Sequence, residues 1–297
     1  MHGVGYTNPD SLAPASTEDW CSCAPPAQCC NAWIDPLPCG WFAGFEAVIA
    51  RPFFTVNAAS FFAQPQQVDW NYDFSPRAYF GFVGGSGLGM RARYWQFDQS
   101  SDTLNQISAD TLSGSTINSD LRLQTIDLEL TQKVGLGAWV GNFGGGIRYT
   151  SFDYGLNGNV FDRGTGIVVN TASYDLQFNG LGPQFFAELQ RPLMGGLSVY
   201  GNIRGALLFG NQVRTTDGLN PVQESQDNLL PVGELQLGGQ WTHAMRASRL
   251  FVRGGVEAQW WGDVGNFGFG SSLFNTAPVV AGDMGLFGIN ASVGWMR

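Results

Sequence analysis

Charge is scarce in this sequence. Only 13% of its 297 residues are Asp, Glu, Lys or Arg, and Lys133 is the single lysine. Histidine is scarcer still, with His2 and His243 alone. No stretch approaches the ~20 consecutive apolar residues that a spanning helix needs. If the chain enters a membrane it must therefore cross as strands, and strands in oil must close on themselves so that every backbone polar group is paired. The net charge of −9 argues against a nucleic-acid partner, because a phosphate backbone demands a basic surface. The start at Met1 lacks a charged n-region followed by an apolar h-region, so no signal peptide is visible and the start reads as a processed or misassigned terminus. Cysteine is missing from everything after residue 39.

What is present divides the chain in two. Residues 1–39 are rich in Pro, Ala and Ser and hold Cys21, Cys23, Cys29, Cys30 and Cys39, which reads as a largely irregular segment on the periplasmic side. Zinc sites favour paired Cys-x-x-Cys spacings, and these Cys-x-Cys and Cys-Cys spacings do not provide them, so no metal is expected. Disulfides in an oxidising compartment fit better, with one thiol left over from the odd count.

From Gly40 onward, runs of ten to fifteen residues alternate between apolar and polar or small, the period of a strand with one face in oil. They fall at about 40–53, 76–84, 87–98, 121–134, 138–154, 174–190, 197–211, 230–243, 250–262 and 285–296. Tight connections at Gly84-Gly85-Ser86, Gly135-Leu136-Gly137, Arg191 to Gly196 and Ala244 to Arg249 alternate strictly with long polar ones at 54–75, 99–120, 155–173, 212–229 and 263–284. A membrane barrel has this pattern because every turn on one side is short and every loop on the other is long. The sequence thus predicts an all-β protein, a transmembrane antiparallel up-and-down β-barrel of about ten strands over 40–297, with short periplasmic turns and long extracellular loops. Pro183 lies within the sixth run, where its missing N–H predicts a bulge or local break.

The faces separate cleanly. Within 121–134, Ile126, Leu128, Leu130 and Val134 share the lipid side, opposite Thr125, Asp127, Glu129, Thr131 and Lys133. A charge at mid-depth on the lipid face costs roughly 2–4 kcal/mol for Arg, so charged residues are expected inside. That places Glu46, Asp127, Glu129, Glu188, Glu234 and Glu257 in the lumen with Arg77, Arg91, Arg93, Lys133, Arg148, Arg204 and Arg253. Most of them fall at similar depth, and neighbouring strands mostly carry opposite signs, which makes a mid-barrel belt available for cross-strand pairing. Such a belt either cross-links and fills a narrow lumen, or lines an ion-selective constriction. Both readings use the same residues.

Outside the barrel, Asp69, Asp73, Asp98, Asp102, Asp110, Asp120, Asp162, Asp217 and Asp227 make the long-loop side acidic, against Arg163 and Arg214. An acidic mouth concentrates cations; the same acids also serve solubility, or bind divalent cations shared with lipopolysaccharide. Trp41, Tyr79, Tyr94, Trp95, Trp139, Tyr149, Trp241, Trp260 and Trp295 lie near strand ends and fit interfacial girdles, with packing inside the barrel as the alternative for several. An enzyme is not expected. His243 sits at a tight turn, no Gly-x-Ser-x-Gly, Walker loop or His-Glu-x-x-His is present, and carboxylates such as Asp127 and Glu129 have arginine-rich neighbours that keep them ionised. No cofactor is implied.

The opening strand Gly40-Trp41-Phe42-Ala43-Gly44-Phe45-Glu46-Ala47 after a Cys-rich leader, the Gly-Gly turns, and the closing Gly288-Ile289-Asn290-Ala291-Ser292-Val293-Gly294-Trp295 resemble the pore-forming proteins related to the Legionella major outer-membrane protein. The resemblance covers about 40–297; the ending Trp295-Met296-Arg297 departs from the aromatic terminus usual for such barrels. It implies a porin-like role in the bacterial outer membrane, with surface adhesion as a second role and no catalytic residues to match. The expected function is a narrow passage for ions or small solutes. The alternative is a structural or adhesive surface barrel with a plugged lumen. The expected partners are outer-membrane lipid, lipopolysaccharide and small solutes, with homo-oligomerisation left open.

Overall fold

The computed structural model describes residues 39–55, 58–59, 66–107, 113–217, 221–266 and 281–297. The expectations for Cys21, Cys23, Cys29, Cys30 and Asp110 lie outside them. In chain order the strands are β1 (Gly40–Phe54), β2 (Ala58–Ala59), β3 (Gln66–Gln67), β4 (Asp73–Val83), β5 (Leu88–Ser100), β6 (Leu104–Ile107), β7 (Ser113–Leu136), β8 (Trp139–Asp162), β9 (Val168–Pro192), β10 (Leu197–Asp217), β11 (Val222–Met245), β12 (Ser248–Asn266) and β13 (Ala281–Met296). β2 and β3 pair only with each other, and β6 lies beside β7. The other ten close a ring in the order β1-β4-β5-β7-β8-β9-β10-β11-β12-β13, with β13 returning to β1 in register from Phe42↔Met296 to Phe54↔Met284. All of these pairings are antiparallel, so no edge is left open.

The strands run well past the expected ends. Much of what reads as polar loop at 99–120, 155–173 and 212–229 is ladder, with β7 pairing β8 from Leu136↔Trp139 up to Ser113↔Asp162. The sequence hides this because the polarity of the two faces inverts part-way along. On β7 the outward residues Ile126, Leu128 and Leu130 are apolar and the inward ones polar. Farther from the tight turn the outward residues become Arg122, Asp120 and Asn118, while Leu123, Leu121 and Ile117 turn inward and are buried. Phe152, Tyr154 and Leu156 on β8 and Tyr174, Leu176 and Phe178 on β9 repeat the pattern. The barrel therefore has two storeys. In one the outer wall faces oil; in the other it faces water, and the apolar side chains move inside, where each stabilises by roughly 1.5–3 kcal/mol on burial.

Aromatic residues mark the boundaries of the oil-facing storey. Trp41, Trp139, Trp241 and Trp295 are exposed near the tight turns, and Tyr94, Tyr149 and Trp260 at the other limit. Trp139 to Tyr149 spans eleven residues of β8, the length of a strand crossing a membrane at a tilt of about 45°. Tyr79 and Trp95 do not belong to these girdles. They have the inward parity of Arg77 and Arg93, and Trp95 is 1% exposed within the core.

Two backbone details follow from the sequence. Pro183 points outward, and the β9–β10 ladder skips from Ala206↔Gln184 to Phe209↔Leu181, the local break that a missing N–H requires. Beside it Gly182 comes so close to the Leu207 carbonyl that a Cβ would lie 1.8 Å away. Among the described residues no helix is long and apolar enough to cross a membrane.

Candidate functional site

Of the thirteen charged residues expected in the lumen, twelve join in ion pairs inside the barrel, and Lys133 lines the cavity on the turn side of them. Arg148 is fully buried and binds Asp127 through two bonds, Nε to Oδ1 at 2.7 Å and Nη2 to Oδ2 at 2.9 Å, with its Nη1 2.6 Å from Glu234 Oε1. Arg77 donates to Glu46 at 2.5 Å and clasps Glu257 at 2.9 and 2.6 Å. Arg91 donates to Glu129 at 2.5 Å, and Arg204 bonds the other oxygen of that carboxylate. Arg253 lies 2.8 Å from Glu188. Arg93 bonds Asp127 at 3.2 Å and Glu234 at 3.1 Å.

The last contact decides the shape of the lumen. Arg93 is on β5 and Glu234 on β11, five strands apart whichever way round the ring one counts. Side chains from opposite walls can touch only if they span the interior. Arg77 to Glu257, Arg204 to Glu129 and Arg253 to Glu188 each cross three strands as well. Amides fill in between: Gln236 donates to Glu46 at 3.1 Å and Glu257 at 2.7 Å, and Asn290 to Glu257 at 3.3 Å. Rings carry the flat faces of the guanidinium groups. Arg91 and Arg204 lie 4.5 and 4.9 Å from the Phe186 centroid, and Arg77 5.4 Å from that of Trp95. Each buried charge is thus matched; removing one member of such a pair costs about 3–5 kcal/mol because a charge is left uncompensated.

On the far side from the tight turns the belt is roofed by apolar packing. Trp95 stacks on Trp261 with centroids 6.4 Å apart, amid buried Phe97, Leu123, Phe152, Phe178 and Leu230. The irregular stretch before β4 enters this packing, burying Val68 and Trp70. Its neighbours hold it there: Arg51 bonds Asp69 at 2.9 Å and Gln99 the Asn71 carbonyl at 2.5 Å. On the turn side a cavity of about 80 Å³ reaches down to the belt.

Sequence reasoning missed Trp70, Gln236, Asn290 and Phe186. Inward parity on their strands could have found the last three; Trp70 lies in no strand, and its signal is the short alternation Val68-Asp69-Trp70-Asn71-Tyr72 inside what reads as a loop. The acids of the mouth lie where expected, with Asp69, Asp73, Asp98, Asp102, Asp120, Asp217 and Asp227 exposed. Arg122 pairs with Asp98 at 3.1 Å on this outer surface. At the β8–β9 tip the Thr165 N–H and hydroxyl both donate to Asp162, at 2.8 and 2.9 Å, and hold its carboxyl below the usual range. His243 stacks on Trp241, centroids 5.6 Å apart, on the turn side.

Comparison with known proteins agrees with this architecture. A family model described as the Legionella pneumophila major outer membrane protein precursor matches residues 40–297. Among solved structures, the Escherichia coli outer membrane protease OmpT aligns with 86% of this chain and 95% of its own, at 7% identity and a TM-score of 0.51. A major outer membrane protein of Thermus thermophilus aligns over 84% and 98% at 12% identity, TM-score 0.30. The Pseudomonas putida toluene transporter TodX aligns over 87% and 90% at 9% identity, TM-score 0.35. No curated protein matches this chain.

Proposed function

This chain belongs to the Legionella pneumophila major outer membrane protein family, and from that premise we propose that it is a surface barrel with a lumen sealed at mid-depth. It is an outer-membrane β-barrel. Its working surface, on this reading, is the water-facing storey and its acidic rim, acting in adhesion or in the structure of the cell surface. The observation that carries the reading is the Arg93–Glu234 contact between opposite walls. Interiors of barrels with about eight strands are just wide enough for side chains to fill, and ten strands bridged by arginine leave no continuous water column. The packing around Trp95 and Trp261 adds an apolar barrier that an ion would have to cross without hydration. Non-enzymatic action is part of the proposal, supported by a His243 that stands at the turn end, away from the exposed acids. So is contact with lipopolysaccharide, whose phosphates share divalent cations with carboxylates such as those on the rim.

A second reading, a narrow passage opened by rearrangement of the belt, draws on the turn-side cavity that already reaches it. Planar-bilayer recording in asymmetric KCl separates the two. Folded protein, verified by heat-modifiable migration, is expected to be silent. Discrete conductance steps from it would overturn the sealed-lumen proposal.

A further inference from the structure

We propose that the turn-side cavity is a binding site for a small soluble oxyanion, of the phosphate class, entering from the periplasm. The inference deepens the sealed-lumen reading and rests on it: with the far end closed, the cavity is a pocket where a ligand stops.

Three observations carry it. The first is position. Val83, Asn142, Phe251 and Met296 line the cavity close to the tight turns, and Glu46, Arg93 and Arg204 line it at belt depth, so it opens toward the turn side and ends at the belt. Its volume of about 80 Å³ holds a small oxyanion and a few waters, far below the roughly 300–1,000 Å³ of sites for drug-sized ligands.

The second is charge. The wall presents five cationic side chains, Arg91, Arg93, Lys133, Arg204 and Arg253, and two carboxylates, Glu46 and Glu188. The acids nearest Arg91, Arg93 and Arg204 are Glu129, Asp127 and Glu234, none of which lines the cavity; of the two acids that do, Glu188 pairs with Arg253 and stands 3.9 Å from Arg91. A ligand there meets more cations than acids on the wall, because the main counter-charges of Arg91, Arg93 and Arg204 stand behind them, in a narrow low-dielectric cleft that focuses the field.

The third is unused hydrogen-bonding capacity. A guanidinium has five N–H donors in a fixed fork. Arg91 spends Nε on Glu129, and its Nη2 is buried without a partner; Arg204 spends Nη1, and its Nε has none. Their side chains are 10% and 3% exposed, so these donors belong to a built wall and not to a mobile surface. These are pre-charged donors in a wall that faces the cavity, and arginine forks are the usual receptor of an oxyanion. Phe186 under both, and Tyr200 and Phe251 at 5.1 and 5.2 Å from Arg253, fix the planes of the three guanidinium groups.

The test is phosphate titration of full-length protein in phospholipid vesicles, read by line broadening of the inorganic phosphate resonance. Saturable binding is expected, weakening as KCl rises, and falling at least tenfold in Lys133→Gln/Arg253→Gln, which alters the mouth and leaves the Arg148 and Arg77 clasps intact. Arg214→Gln, on the other storey, should bind like the parent. Absence of saturable binding by folded protein, or equal binding by the mouth variant, overturns the site. Vesicles preloaded with phosphate supply the separate check: release through the protein would sink the sealed lumen while leaving a measured site standing, and retention with no binding would sink the site alone.

Discussion

Replacing Arg148 by Met removes one guanidinium and leaves Asp127 and Glu234 to share Arg93. Arg148 and both carboxylates are at most 3% exposed, so solvent screening gives no discount. A buried pair broken from one side costs about 3–5 kcal/mol. In a water-filled channel the same contacts would be worth about 0–1 kcal/mol. The size of the loss therefore reports whether the belt is dry. The assay is reversible urea unfolding in phospholipid vesicles, followed by tryptophan fluorescence and checked by heat-modifiable migration. Arg148→Met is expected to lose about 3–5 kcal/mol. Adding Glu234→Gln should recover most of it, because Asp127 and Arg93 are then matched one to one and no charge is orphaned. A single-variant loss below about 1 kcal/mol would refute the reasoning and indicate a hydrated lumen.

Two further predictions follow from the two-storey wall. Leu128→Arg, on the outer face of the oil-facing storey, should destabilise the barrel by roughly 2–4 kcal/mol, whereas Asp120→Arg eight residues away on the same strand and face should stay within about 0.5 kcal/mol; equal losses in urea unfolding would place the membrane boundary wrongly. Thr165→Val removes the hydroxyl bond and keeps the backbone one, so the Asp162 carboxyl should move part of the way back toward its ordinary range, read by carbon NMR of that carboxyl, and an unmoved midpoint would deny the hydroxyl its role. The sign is that of a depressed acid: the Asp162 contribution is present above its unfolded pKa and lost as pH falls through the folded one, so the variant keeps a weaker form of that dependence.

Inward charge is the most legible feature of this chain, because oil permits no other direction for Arg77 or Glu257 once the strands are placed. Partners on adjacent strands follow from register, as with Arg91 and Glu129. Contacts across the lumen do not, since Arg93 and Glu234 are 141 positions apart and meet only through the closure of the ring. Trp95 misleads by type: a tryptophan near a strand end suggests a girdle, but alternation with Tyr94 sends it inward beside Arg93. The water-facing storey is hidden for a similar reason. Asn118, Asp120 and Arg122 read as loop until Ile117, Leu121 and Leu123 are seen to form the opposite face of the same strand. Trp70 misleads in the opposite way: Val68-Asp69-Trp70-Asn71-Tyr72 alternates like a strand and buries Val68 and Trp70, yet it joins no ladder.

The inversion also explains why the belt lies where it does. In the oil-facing storey the outer face takes the apolar side chains, so alternation leaves polar ones for the inside, and a ten-stranded interior forces them within reach of one another. In the water-facing storey the same alternation delivers Phe152, Leu176 and Leu208 to the inside, and they pack without needing partners. Between the two, a polar interior must end against an apolar one. Arginine suits that junction, since its planar face stacks on a ring while its edge binds carboxylates, and Arg77 does both, with Trp95 on one side and Glu46 and Glu257 on the other. On the sealed-lumen proposal, belt and roof are parts of one seal. The roof would then keep water on its side from the ion pairs, and the ion pairs would hold the walls together beneath it.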